Sequence, residues 1–301
     1  MTGTEISVII PFRGNKEELS KCLDGLRNQD SDILFEIIVV ESGINPEVKQ
    51  LVASVPNSVL ISCKSIMYPG KARNQGIENS KSALLAFMDA DCIPLSNWIN
   101  EIHASLKSGN KIVIGPVIDL YPFHPVASID NLLQFPDFRK YRLNKIFTHF
   151  PACNLGINKE LVYKSGKFPE EIITGEDVIF SQSAIRNNGG KVYFNRNLIV
   201  RHSGRKDFKS FIEHNRSLGF HRGYLNLKIS KFSNKNRDSF LFALIFGIKR
   251  LIYISIRTLQ WNPVSLFSMI FYFPFVILGL SAWVEGFRRG NKKYLEEKIA
   301  V

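Results

Sequence analysis

Ala83-Leu84-Leu85-Ala86-Phe87-Met88-Asp89-Ala90-Asp91 is the stretch that decides the fold. Its apolar run predicts a buried strand. That strand delivers two carboxylates, one residue apart, to its carboxyl end, where open α/β sheets bind their ligands. Acidic groups so close repel each other unless a cation sits between them and something else. A divalent ion held by one or two carboxylates, with substrate phosphates completing its shell, fits that chemistry. A solvated turn is the alternative for an isolated Asp-x-Asp, so the surrounding segments carry the decision.

Upstream, residues 6–10 form a β-branched run closed by Pro11, a second buried strand. Leu19, Cys22, Leu23 and Leu26 follow at helical spacing, and residues 35–40 make another strand ending at Glu41-Ser42-Gly43. Strand, helix, strand within about forty residues is a βαβ unit, which predicts a sheet that begins parallel. A weaker helix (47–54), a short strand (59–61) and a loop entering a helix (70–79) lead to the Asp89 strand. Residues 111–118 predict a strand interrupted by Gly115-Pro116, and 119–150, rich in aromatic and basic residues, give no clear element. Beyond them lie a strand (154–157), a helix (158–165), a helix opened by Gly175-Glu176-Asp177, and strands at 191–194 and 198–200. The pattern is α/β.

Composition narrows the class. The chain has 301 residues, 45% hydrophobic and 22% charged, as folded proteins do. Cys22, Cys63, Cys92 and Cys153 lie far apart, which gives neither a zinc site nor a disulfide framework and suits a reducing compartment. Residues 1–5 run straight into the first strand pattern, from which no secretory signal is expected. The net charge of +12 belongs wholly to residues 201–301, with 18 Lys and Arg against 6 Asp and Glu. A nucleic-acid binder is one reading of that asymmetry. The same third is the most apolar, which favours an anionic membrane surface and argues against nucleic acid as a partner.

In order along the chain, residues 7–11, 37–43, Gly70-Lys71-Ala72-Arg73-Asn74-Gln75-Gly76, Asp89-Ala90-Asp91, 154–161, Phe168-Pro169, Gly175-Glu176-Asp177, Gly189-Gly190 and Val200-Arg201-His202 resemble the family 2 glycosyltransferases. The resemblance covers roughly residues 5–225 and implies the GT-A fold, a Rossmann-like, mostly parallel central sheet. It implies a nucleotide-sugar donor, with Asp89 on the nucleoside and Asp91 ligating Mn²⁺ or Mg²⁺. Pro11 and Glu41 would contact the base; Glu41 stands where relatives usually carry Asp, and the longer side chain leaves the choice of nucleoside open. Lys71 and Arg73 are candidate cations for nucleotide or diphosphate, the alternative for Arg73 being a helix-surface ion pair. Asp177 is the candidate catalytic base, since an acceptor hydroxyl needs a carboxylate to take its proton. Glu176 would position the base or the acceptor; helix N-terminal charge is the structural alternative for both acids. His202 would complete the metal shell and tilt it toward Mn²⁺, or else be a strand-end histidine bonded to backbone.

The resemblance implies inversion, with a glycan or lipid-linked acceptor and a role in polysaccharide or cell-envelope biosynthesis. A non-catalytic nucleotide or glycan binder on the same fold and a sugar nucleotidyltransferase are the rivals. The expected organisation is a catalytic domain at 1–235 (nucleotide-sugar half 1–118, acceptor half 119–235) and basic, apolar, membrane-associating helices at 236–301. Within 239–258, Leu241, Leu244, Ile245, Ile248, Leu251, Ile252 and Ile256 share one face of an interfacial helix. Residues 258–284 contain no charge. A helix over 263–284, kinked at Pro274, would be about 33 Å long, enough to cross the hydrocarbon. Basic residues on both flanks favour a re-entrant or in-plane hairpin over a single span. The expected place is the cytoplasmic face of a membrane.

Overall fold

The structure, a computed structural model, describes residues 3–142, 146–230 and 237–299. In chain order the strands and helices are β1 (Ile6–Phe12), α1 (Lys16–Arg27), β2 (Phe35–Ser42), α2 (Pro46–Ala53), β3 (Ser58–Cys63), α3 (Pro69–Asn79), β4 (Leu84–Met88), β5 (Cys92–Pro94), α4 (Trp98–Lys107), β6 (Ile112–Ile114), β7 (Val117–Asp119), α5 (Pro125–Gln134), β8 (Asn154–Asn158), α6 (Lys159–Lys164), α7 (Glu176–Asn187), β9 (Tyr193–Phe194), β10 (Val200–His202), α8 (Phe208–Ser230), α9 (Phe240–Trp261), α10 (Pro263–Phe271) and α11 (Phe273–Ile299).

Packing groups them into two compact units. The first comprises Met1–Ile118 and Leu143–His202, the second Asp119–Arg142 and Ser203–Val301. The expected boundary at 235/236, with Lys231 and Lys235 beside it, lies outside the described residues.

The first unit holds a sheet ordered β3-β2-β1-β4-β8-β6-β9, parallel through β4 and antiparallel on both sides of β8. Strands β1 and β4, inside the sheet, are nearly continuous apolar runs because both faces are covered; Val8, Ile9, Ile10, Leu85, Ala86 and Phe87 are all buried. The sequence reading closed β1 at Pro11, but the strand continues to Phe12. Pairing with β4 stops at Ile9, so Pro11 lies on an edge with respect to that neighbour, where a missing N–H is tolerated. Residues 70–79, expected as a loop entering a helix, are helical throughout, Pro69 occupying the first turn of α3. A second sheet, β5-β10-β7, follows the Asp89 turn. Asn154 ties these parts together, accepting from the Trp98 indole and donating to the carbonyls of Pro116 and Leu198.

The second unit is helical. Val126, Ile129, Leu133, Phe211, Ile254 and Val276 belong to one buried cluster shared by α5, α8, α9 and α11. Helices α8 and α11 meet backbone to backbone: a Cβ on Gly219 or Gly223 would lie 2.0 or 2.2 Å from the carbonyl oxygen of Trp283 or Phe287. The uncharged stretch is not one kinked helix. It breaks at Tyr272, and α10 and α11 are bent by 86°. Among the described residues no single helix is long and apolar enough to cross a membrane.

Candidate active site

The carboxyl end of β4 leads directly into the turn Asp89-Ala90-Asp91, closed by the Cys92 amide donating to the Asp89 carbonyl at 3.0 Å. Behind it lies α3. Gly70, in the first turn, lacks a side chain for a reason: a Cβ there would fall 2.1 Å from the Pro169 carbonyl oxygen. Asn74, one turn on, clamps the same segment, donating to the Phe168 carbonyl and accepting from its amide.

Arg73 joins the pieces. Its guanidinium donates to Asp89 at 2.6 Å and to Glu176 at 2.5 Å, with 4% of the side chain exposed. The ion pair expected as the alternative for Arg73 is present, but not on a helix surface: the residue is buried, and its partners come from the β4 turn and from the first turn of α7. Burial alone would lower the Arg73 pKa, but the charges of Asp89, Glu176 and Asp177 hold it above its ordinary value. Lys71, by contrast, is exposed.

At the start of α7, burial pushes Glu176 up to about 7 against the pull of Arg73. Asp177 is also raised, again chiefly by burial, with the Asp89 charge adding to the effect. Its two oxygens accept from the Val178 amide at 2.8 Å and the Ala152 amide at 3.4 Å, which fixes the carboxylate's orientation. The buried Cys153 thiol registers the whole group. Its hydrogen bond with Cys92 opposes the shift, yet burial and the charges of Asp89, Asp91 and Asp177 hold it above its usual range.

On the other side of the turn, β10 runs antiparallel to β5 with His202 opposite Cys92. That register brings His202 Nε2 to 3.4 Å from Asp91 Oδ2. Donor atoms of Asp91, Cys92 and His202 all lie within 4.8 Å of one another. A carboxylate, a thiol and an imidazole at that spacing could hold a metal ion, and in the metal-free protein burial holds the Cys92 thiol well above its ordinary range. Cys92 is the donor that the sequence reading missed. Its adjacency to Asp91 was visible; its pairing with His202 depends on strand register.

Glu41, at the end of β2, is buried and accepts from Ser62 at 2.8 Å. Pro11, partly exposed, pairs with Val40, the residue before it.

The family model described as glycosyl transferase family 2 matches residues 7–165. The glycosyltransferase AglE of Haloferax volcanii is 28% identical over 190 residues, 60% of this chain and 60% of that one. A Methanococcus voltae protein is 24% identical over 319 aligned positions, 96% of this chain and 99% of its own; its name is dolichyl N-acetyl-alpha-D-glucosaminyl phosphate 3-beta-D-2,3-diacetamido-2,3-dideoxy-beta-D-glucuronosyltransferase. The chain spans 23% of the hyaluronan synthase of Pasteurella multocida, with 26% identity. Among solved structures, residues 1–349 of Staphylococcus aureus TarS in complex with UDP-GlcNAc superpose with a TM-score of 0.56 at 17% identity, covering 97% of this chain and 92% of that one.

Proposed function

The chain belongs to glycosyl transferase family 2, and from that premise we propose that it is a metal-dependent, inverting enzyme. It moves a sugar from a UDP-linked donor to a hydroxyl of a lipid-linked or polysaccharide acceptor. The observation that carries the reading is Arg73, which holds the Asp-x-Asp turn and the Glu176-Asp177 pair in one constellation.

Asp177 takes the proton of the acceptor hydroxyl as its oxygen bonds to the anomeric carbon, and the carbon–phosphate oxygen bond breaks with its electrons leaving on the nucleoside diphosphate. Attack opposite the leaving group inverts the centre. Asp91 and His202 would hold the cation, which neutralises charge on the departing diphosphate. Asp89 orients the nucleoside, Glu41 and Pro11 lie under the base, and exposed Lys71 is placed for phosphate. Glu176 positions Asp177 through its ion pair with Arg73.

A UDP-linked donor is favoured because TarS, which shares the fold, was solved with UDP-GlcNAc. A lipid-linked acceptor is favoured by the name of the Methanococcus relative, and with it the cytoplasmic face of a membrane as the place of action.

The test is a panel of nucleotide sugars scored for release of nucleoside diphosphate with and without Mn²⁺. Chelation should abolish release and Mn²⁺ restore it. Asp177→Asn should keep donor affinity within about threefold while lowering transfer by about a hundredfold or more. A chain that binds UDP yet transfers nothing from any donor is a binder, and the proposal fails.

A further inference from the structure

The face of α9 expected to be apolar points outward. Leu241, Ile245, Ile248, Ile252 and Ile256 recur at helical spacing and are 43–66% exposed, while Ala243, Gly247 and Ile254 face the core. Helix α10, next in the chain, is apolar and exposed as well: Val264, Phe267 and Phe271 are 76%, 77% and 80% exposed, beside a hollow of about 380 Å³ lined by Phe267, Ser268, Ile270, Phe271 and Tyr272. So many large apolar side chains exposed on two successive helices mark an interaction site. The cations of α9 sort themselves around it. Arg250 turns inward to the Leu133 carbonyl and Arg257 to Asp137, whereas Lys249 is exposed at the rim of the stripe.

We propose that the unit Asp119–Arg142, Ser203–Val301 docks in the plane of an anionic phospholipid surface through the outward faces of α9 and α10, without crossing it. Residues 239–284 contain no Asp or Glu, and the cation they turn outward is Lys249 at the rim of the stripe, so nothing on these helices repels anionic headgroups. A second copy is the poorer occupant, because a two-fold interface would set the Lys249 rims against each other. The 86° bend at Tyr272 lays α10 across the start of α11 instead of extending it into a span. The inference deepens the membrane-face reading above. Vesicle capture needs neither donor nor acceptor, so its failure is distinguishable from failure of the glycosyl-transfer reading.

The full chain is mixed with sedimentable vesicles, either zwitterionic or containing about a third phosphatidylglycerol. Capture should be about tenfold stronger on the anionic vesicles, fall with added salt, and be stripped by alkaline carbonate. The pair Ile248→Glu and Ile252→Glu should lower it about tenfold, while Tyr163→Glu, an exposed aromatic of the other unit, changes nothing. If the double variant misfolds by circular dichroism, Phe267→Ser with Phe271→Ser replaces it. Undiminished capture in the folded variant, resistance to carbonate, or a solution dimer that the variant dissolves would each overturn the proposal.

Discussion

Arg73 illustrates what one residue can organise. It is 16 residues from Asp89 and 103 from Glu176, yet it donates to both. A planar fork can serve two carboxylates at once, whereas a lysine is a single point of charge. Arg73→Lys should therefore keep the fold but lower kcat with little change in donor KM, and Arg73→Ala should cost about 3 kcal/mol in denaturant unfolding, since it leaves the buried Glu176 carboxyl without its cation while the part-exposed Asp89 can turn to solvent. The Glu176 carboxyl, raised by burial to about 7, makes a pH prediction. An acid that binds its proton more tightly when folded adds stability fully present below its ordinary value of 4.5 and lost as pH rises through about 7. Activity runs the other way, because the base must be ionised. The kcat/KM profile should show an acid limb above the ordinary carboxylate range belonging to the Glu176–Asp177 pair, both of which burial raises, and Glu176→Gln should move it down. A limb unmoved in that variant would place its origin elsewhere. The carboxylates themselves were legible, since each ends a strand or opens a helix. The Arg73 bridge and the Cys92–His202 pairing were not, because pairings over such separations are made by the sheet and not by neighbours in sequence.

At the scale of elements, the strands were the readable part: β1, β2 and β4 are apolar runs because the parallel sheet is covered on both faces. The C-terminal helices were read less well. Amphipathic spacing located α9 but cannot say whether the apolar stripe faces protein or surroundings, and here the core takes the small residues Ala243 and Gly247 instead. The sequence predicts a kink at Pro274; the break falls at Tyr272, and Pro274 sits in the first turn of α11, where a missing N–H costs nothing. The glycine pairs 219/223 and 286/290 are each spaced one helical turn apart, a signal of close helix approach that the hydrophobic pattern does not carry. They decide how α8 meets α11: a Cβ on Gly286 would lie 1.9 Å from the Arg216 carbonyl oxygen, and one on Gly290 2.0 Å from that of Phe220. Glycine to alanine inside a helix ordinarily gains up to about 1 kcal/mol. Forced separation of two packed backbones costs about 1–3 kcal/mol, so Gly286→Ala should be net destabilising. Denaturant titration measures the sign. A stabilised variant would mean that the helices are not in backbone contact.

Across the whole molecule, the candidate site draws on the ends of β2 and β4, the first turns of α3 and α7, and β10, from Glu41 to His202. None of these segments can present its carboxylate, cation or imidazole in the right place unless the sheet that orders them is complete. The unfolded chain therefore has no comparable site, and any ligand of the site is linked to folding. For UDP at about a hundred times its dissociation constant, the linkage amounts to about 2.7 kcal/mol. Part of that should require the cation, because Asp91 and His202 alone offer the diphosphate no positive charge balanced against the nearby carboxylates. Thermal unfolding should thus show a larger rise in midpoint for UDP with Mn²⁺ than for UDP alone. Asp91→Ala should erase the difference while keeping the smaller, metal-independent rise expected if Asp89, Glu41 and Pro11 contact the nucleoside as proposed. Equal rises with and without Mn²⁺ in the unaltered chain would remove the cation from the site, and with it the reason for placing two aspartates at the end of one strand.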